Sequence, residues 1–261
     1  MTEPVEASYA SLGRVLVVMP TYNEADNLER IVKRLRVALP AADILVADDT
    51  SPDGTGGIAD RLAETDEHVH VLHRPRKEGL GTAYREGFSW GLERGYDVFC
   101  EMDADGSHQP EALPSLLAGL TSADLVIGSR WVPGGRVENW SRARQLLSRA
   151  GNFYARTALG LPLRDATAGF RAFRRATLQG VELETVASQG YSFQIELAWR
   201  AFRSGFRVAE VPILFLEREH GTSKMDRHVV VESFRRVGGW GVRHRLRQIR
   251  EFVSGKRRVG T

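Results

Sequence analysis

Residues 99–110 read FCEMDADGSHQP. A mostly apolar segment ends in Asp103 and Asp105, one alanine apart, followed by Gly106, Ser107 and His108. Two carboxylates this close repel each other, and at least one pKa rises unless a cation relieves them. Magnesium commonly takes one or two carboxylates together with substrate phosphate oxygens and water. Asp103-Ala104-Asp105 therefore reads as a clamp for a divalent metal and a diphosphate, with Ser107 able to add an oxygen. Exposed loop acids would show the same spacing, so the reading depends on where the chain places them.

Two further polar clusters also follow apolar runs. PTYNE (20–24) supplies Tyr22 and Glu24, and DDTSPDG (48–54) supplies Asp49. Asp49 suits hydrogen bonds from a nucleobase or ribose, and Asp53 is the better turn acid. Neither a Gly-x-x-x-x-Gly-Lys-Ser/Thr loop nor a Gly-x-Gly-x-x-Gly after a strand is present; GLGTAY (79–84) is only a partial glycine pattern. Nucleotide handling then falls to the metal and to side chains.

The elements that must position these residues follow from periodicity. RVLVVMP (14–20), DILVADD (43–49), VHVLHR (69–74), DVFCEM (97–102) and ADLVIGSR (123–130) read as strands. After Arg14 the first is apolar, as a strand buried on both faces would be. Leu28, Ile31, Val32, Leu35 and Leu39 recur at helical spacing within a segment starting near Thr21. Further helices are predicted over about 55–64, 79–95 and 110–120, over 141–160 with Gly160 as its stop, and over 191–205. Residues 131–140 read as a loop and 165–175 as a short polar–apolar segment. FRVAEVPILFLER (206–218) reads as a strand that Pro212 demotes to an edge or bulge. Alternating strands and helices predict an α/β fold: a mostly parallel sheet with helices on both faces. In such sheets ligands bind beyond the carboxyl ends of strands, which is where Tyr22, Glu24, Asp49, Asp103 and Asp105 fall.

Length and composition agree with one large unit. The chain has 261 residues, 42% hydrophobic and 26% charged, ordinary values for a globular protein. We expect a flexible leader over 1–13, a catalytic unit over 14–227 and a helical appendage over 228–261. Cys100 stands alone, so no internal disulfide forms; a buried, inert thiol in a cytoplasmic protein is expected. No run of about 18 apolar residues predicts a spanning helix, and the first dozen residues do not resemble a signal peptide. Charge is uneven. From Arg218 onward there are twelve Lys and Arg against four Asp and Glu, a net +8 in a chain whose total is +3. Val242, Leu246, Ile249, Phe252 and Val253 gather on one side there, with Arg243, Arg247 and Arg250 on another. A basic amphipathic helix of this kind suits an anionic membrane surface. A solvated terminal helix is the plain alternative. No reader motif supports nucleic acid.

Taken in order, MPTYNEADN, DDTSPDGT, GLGTAYREGF, EMDADGSHQP, IGSRWVPGG, SRAGN, DATAGFRAFRR, GYSFQIEL and VPILFLEREHGTSK resemble the inverting GT-A glycosyltransferases of the family-2 type. More narrowly they resemble the polyprenol (dolichol) phosphate mannose synthases. The resemblance implies a GT-A (Rossmann-like) fold, a GDP-mannose donor and Mg²⁺ or Mn²⁺. It implies that Pro20, Tyr22 and Glu24 cradle base and ribose, completed by Ala47 and Asp49. Asp103 and Asp105 would hold the metal, with the Ala104 backbone nearby. Arg130 would lie near the sugar–phosphate region, Arg144 would meet the acceptor phosphate, and Arg218 and Lys224 would reach the donor phosphates. Asp105, Arg130 and Arg144 are the catalytic candidates. Thr50 stands where the family often has Gly or Asn, and DATAGFR departs from the frequent DLTGSFR at Ala166 and Ala168.

The reaction so implied is mannosyl transfer to a polyprenyl monophosphate with inversion. A phosphate monoester is mostly dianionic at neutral pH, so no general base is needed. His108 is then expected to orient the metal loop, Asp165 and Glu196 to anchor the acceptor loop, and Trp131, Trp140 and Phe170 to line a prenyl groove or fill the core. Without a span, a lipid acceptor calls for a peripheral enzyme on the cytoplasmic face or a membrane-embedded protein partner. The alternatives are the same chemistry with UDP-glucose, and a non-catalytic module that binds nucleotide or a membrane partner.

Overall fold

The computed structural model describes residues 10–186, 188, 190–217, 234–243 and 245–246. Residues 1–9 of the expected leader, Arg218, Lys224 and most of the basic tail lie outside the described residues.

Nine strands and seven α-helices are named among them. In chain order they are β1 (Val15–Thr21), α1 (Leu28–Ala38), β2 (Asp43–Asp48), α2 (Thr55–Thr65), β3 (Val69–His73), α3 (Leu80–Glu93), β4 (Val98–Glu101), α4 (Leu113–Gly119), β5 (Leu125–Ser129), β6 (Arg136–Glu138), α5 (Arg142–Leu159), β7 (Arg171–Arg174), α6 (Arg175–Gly180), α7 (Tyr191–Arg203), β8 (Val208–Pro212) and β9 (Leu214–Leu216). The main sheet has the order β3-β2-β1-β4-β7-β5-β8. Every pairing in it is parallel except those of β7, which runs antiparallel to both β4 and β5.

Alternation along each strand splits the core in two. Val15, Val17 and Met19 join the layer under α1, α2 and α4. Leu16 and Val18 join the opposite layer, with Tyr84 and Phe88 of α3, Leu159 of α5 and Phe193 of α7. The expected apolar stripe of α1 is buried, Leu39 included. Close approach of α3 to β1 requires glycine: a Cβ on Gly87 would sit 2.4 Å from a Val18 methyl carbon. Cys100 is buried and its thiol is pushed up by burial, as an inert core cysteine should be.

Several local expectations change, among them the loop read over 131–140, in which residues 136–138 form β6, and the expected leader, whose Ala10–Leu12 form a 3-10 turn with Leu12 buried. The segment around Tyr22 is a loop, and α1 begins only at Leu28, because Asn23 turns left-handed (φ 60°). Residues 171–174 form a strand inside the sheet. Residues 206–217 divide at Ile213 into β8, an edge strand, and β9, which leaves to pair in parallel with β6. Residues 234–243 are helical and pack on α5 and α7. Val237 is buried there, and Trp240 stacks on Trp199 at 5.9 Å.

Candidate active site

The carboxyl ends of β1, β2 and β4 form one edge. Pro20 pairs with Ala47 and Thr21 with Asp48. The two loops leaving these strands are stitched together. The Asn23 amide donates to the Ser51 hydroxyl (3.0 Å), the Glu24 amide to the Thr55 hydroxyl (2.9 Å) and the Ala25 amide to Asp53 (3.0 Å). Asp53 also accepts the Thr55 amide, which makes it the turn acid anticipated above. The Lys77 ammonium lies 3.6 Å from the centre of the Tyr22 ring. Burial pushes the Asp49 carboxyl up, against an ion pair with Arg74. A carboxylate has about four acceptor positions, so Arg74 leaves capacity for a base or ribose. Thr50 is left-handed (φ 55°), a conformation that disfavours a β-branched residue, and its hydroxyl donates to the Arg74 carbonyl at 2.5 Å.

The acidic ledge follows β4. Asp105 is buried and accepts the Ser107 amide at 3.0 Å; the Asp103 side chain is 34% exposed and accepts from the Tyr84 hydroxyl at 3.3 Å. His108 accepts the Asp103 amide through Nδ1 (3.0 Å) and stacks on Phe170 (4.8 Å between ring centres). Burial pushes its pKa down to about 4, the Arg130 charge adding to that effect and Asp105 opposing it. The imidazole is therefore neutral, and its bond to the Asp103 amide holds the turn that carries both carboxylates. Beneath the ledge Glu101 is fully buried, and burial raises its pKa to about 8. It stands opposite Arg171 across the β4–β7 ladder, 3.9 Å away.

No group of three His, Cys, Asp or Glu able to hold a metal occurs among the described residues. Two hard carboxylates at a partly open ledge still fit a magnesium-like ion, which keeps water and substrate oxygens in its shell rather than a full protein cage.

Beyond β5, Arg130 is held by Asp165. Its Nε and Nη2 donate to the two carboxylate oxygens at 2.7 and 2.6 Å, and its backbone amide adds a third bond at 3.0 Å. Burial raises the Asp165 carboxyl, but the charge and hydrogen bonds of Arg130 outweigh it and hold it below the usual range. Arg144 pairs with Glu217 (2.5 Å) and lies 4.0 Å over the Trp140 ring, whose centre is 5.4 Å from the Arg130 guanidinium. One indole thus carries both arginines. Trp131 lies edge-on to Trp140, with Arg149 over it at 4.5 Å. Phe170 is fully buried against His108, so it belongs to the core and not to a groove. Glu196 bonds Ser188 and Arg200, which fastens the segment before α7 rather than the 165–170 loop.

Residues 16–181 match the family model described as "Glycosyl transferase family 2". The chain belongs to that family. It is 54% identical over 91% of its length to an undecaprenyl-phosphate mannosyltransferase of Micrococcus luteus, covering 98% of that relative. It is also 54% identical over 92% of its length to a polyprenol monophosphomannose synthase of Mycolicibacterium smegmatis, covering 91% of it. The structure of glucosyl-3-phosphoglycerate synthase from Mycobacterium tuberculosis with Mn²⁺ and UDP-glucose superposes with a TM-score of 0.66 at 21% identity, over 92% of this chain and 82% of that one. That likeness bears out the GT-A fold.

Several residues of this glycosyltransferase carry no obvious local signal. Arg74 is fully buried and joins Asp49 to Glu86; an arginine closing an apolar strand was the available clue. Arg171 donates to the carbonyls of Ala168, Gln194 and Ala166 at 2.7, 2.7 and 2.8 Å. Asn152, within SRAGN, donates to Thr167 (3.0 Å) and Asp165 (3.2 Å). Glu210 accepts the amides of Arg164 and Asp165, both at 2.8 Å. Together these three fix the loop that fixes Arg130.

Proposed function

We propose that the enzyme transfers mannose from GDP-mannose to a polyprenyl monophosphate with inversion at the sugar carbon, giving polyprenyl β-phosphomannose and GDP. The observation that carries this reading is the pair Arg130 and Arg144 about one indole ring. Such a pair suits a phosphate nucleophile, because planar guanidinium groups meet phosphate oxygens with fixed geometry. Mannosyltransferase relatives that cover nearly the whole chain support the sugar and acceptor class.

Tyr22, Glu24, Asp49, Pro20 and Ala47 receive the nucleoside. Asp103 and Asp105 would hold Mg²⁺ or Mn²⁺, which when bound offsets the charge building on the departing diphosphate. Ser107 and Ala104 shape that turn. Arg218 and Lys224 add positive charge beside the same oxygens. Arg144 meets the acceptor phosphate, and Arg130, fixed by Asp165, lends its charge near the sugar–phosphate region. Neutral His108 takes no proton; the dianionic phosphate needs no base.

The enzyme works at a membrane, where its acceptor resides, on the cytoplasmic face. No helix among the described residues is long and apolar enough to cross a bilayer. Leu146, Leu147 and Phe153 of α5 and Val242 and Leu246 beyond it are exposed apolar side chains among arginines, which favours peripheral contact. The basic tail completes that contact and equally suits a membrane-embedded protein partner.

A transfer assay with radiolabelled GDP-mannose and UDP-glucose and a short prenyl phosphate tests the reading. Label from GDP-mannose should enter the lipid phase in a metal-dependent way. Transfer from UDP-glucose alone would remove mannose, and nucleotide binding without transfer would leave a silent module.

A further inference from the structure

We propose that Phe215 is a positioning residue that sets the spacing between the metal ledge and the Arg130–Arg144 pair. The inference rests on the transfer reading above and goes beyond it in naming what joins the two half-sites. Phe215 lies in β9, three residues long, which pairs with β6 and not with the main sheet. Its half-buried ring meets His108 edge-on at 5.5 Å and 77°, and Trp140 edge-on at 5.4 Å and 75°. The Arg130 guanidinium is 5.4 Å from the same ring centre.

Backbone bonds tie the segment to both sides. Phe215 bridges antiparallel to His108, and the Leu216 amide donates to the Ser107 carbonyl at 3.1 Å. The Glu217 amide donates to the Glu138 carbonyl at 3.2 Å, and the Glu217 carboxylate holds Arg144. His108 in turn fixes the Asp103 amide, and Trp140 carries Arg144. One aromatic ring therefore touches what aims the metal carboxylate and what aims the incoming phosphate.

Displacement needs the reacting atoms roughly 3–3.5 Å apart and in line, and a misplacement of about 1 Å can cost about 100-fold. A smaller side chain at 215 would leave each half-site whole but let their separation drift, since a void cannot transmit position. The loss should then fall on turnover and not on either binding step.

Phe215→Leu and Phe215→Tyr test this, with Phe215→Met, close to leucine in volume but unbranched and flexible, as a third variant should the leucine protein not fold. The readouts are kcat, KM for GDP-mannose and for a short prenyl phosphate, and calorimetric binding of GDP with Mn²⁺. We expect Phe215→Leu to lose about 10–100-fold in kcat, with both KM values and GDP binding within about 3-fold of wild type. Phe215→Tyr should recover most of the loss. Unchanged kcat in the leucine or methionine protein, a KM rise that accounts for the whole loss, or a tyrosine variant as impaired as the leucine one would each overturn the proposal. Absence of transfer by the wild type from either donor would instead remove the function reading, and this inference with it.

Discussion

Replacing Asp165 by Asn should expose how much of the acceptor site depends on one buried charge. Asp165 is fully buried and accepts three bonds from Arg130, one from Asn152 and one from Thr167. The amide keeps the shape, but the Arg130 cation is left without its counter-charge. Removing one partner of a buried ion pair costs about 3–5 kcal/mol. For a domain of this size that corresponds to a fall of about 6–20 °C in Tm, at roughly 2–4 °C per kcal/mol. The pH dependence follows from the sign of the shift. Asp165 is held below its ordinary range in the folded protein, so its contribution is complete above the unfolded carboxyl pKa, about 3.9, and is lost as pH falls through the lower folded value. Urea unfolding at pH 7 should therefore separate wild type from Asp165→Asn by several kcal/mol, and the gap should close as the pH is taken below about 4. The acceptor KM should rise as well, because Arg130 is no longer held in plane. Equal midpoints at pH 7, or a gap that persists undiminished in acid, would refute the reasoning.

Asp105→Ala should lose about 100-fold or more of metal-dependent turnover with an unchanged circular dichroism spectrum; retained turnover at ordinary metal levels would reject the clamp. Thr50→Asn should raise Tm, since Asn tolerates the left-handed conformation that costs an ordinary residue about 1–2 kcal/mol; a lower Tm would show that the bond from the Thr50 hydroxyl to the Arg74 carbonyl matters more. Deleting Val242–Thr261 removes seven Lys and Arg, each contributing about 1 kcal/mol near an anionic surface. It should weaken co-sedimentation with anionic vesicles more than turnover on a short soluble acceptor, and equal sedimentation would sink the membrane role of the tail.

Elements that bury a long periodic face were legible in the sequence. The apolar run Val15–Pro20 of β1 and the aliphatic stripe from Leu28 to Leu39 on α1 and its cap could be read directly, and Gly160 does end α5 in a left-handed cap (φ 68°). Strand ends then pointed to the acidic ledge and to the polar loops after β1 and β2. What was not legible depends on pairing across the chain. β7 has only four residues, two of them arginines, and its RAFR carries no strand signature; the partners Glu101 and Ile127 put it in the sheet. Arg130 and Asp165 are 35 residues apart, so no local spacing announces their bond. Thr50 was visible as a departure, but only the backbone shows that it occupies a position suited to glycine or asparagine.

The direction of β7 explains how the two halves of the site meet. A seventh parallel strand would bring its carboxyl end to the ligand edge and leave residues 165–170 at the other. Because β7 is antiparallel, its amino end lies beside the carboxyl ends of β4 and β5, with Arg171 opposite both Glu101 and Ile127. The loop that precedes β7 therefore enters the site, and Asp165 reaches the arginine immediately beyond β5. Arg171 closes the arrangement by taking three carbonyls of the loop and of α7 while facing a buried carboxyl. An enzyme that must hold two anionic substrates together needs cations whose places are fixed before either arrives. Here the reversed strand supplies that fixation, which is why an insertion so poorly marked in the sequence carries the loop on which Arg130 depends.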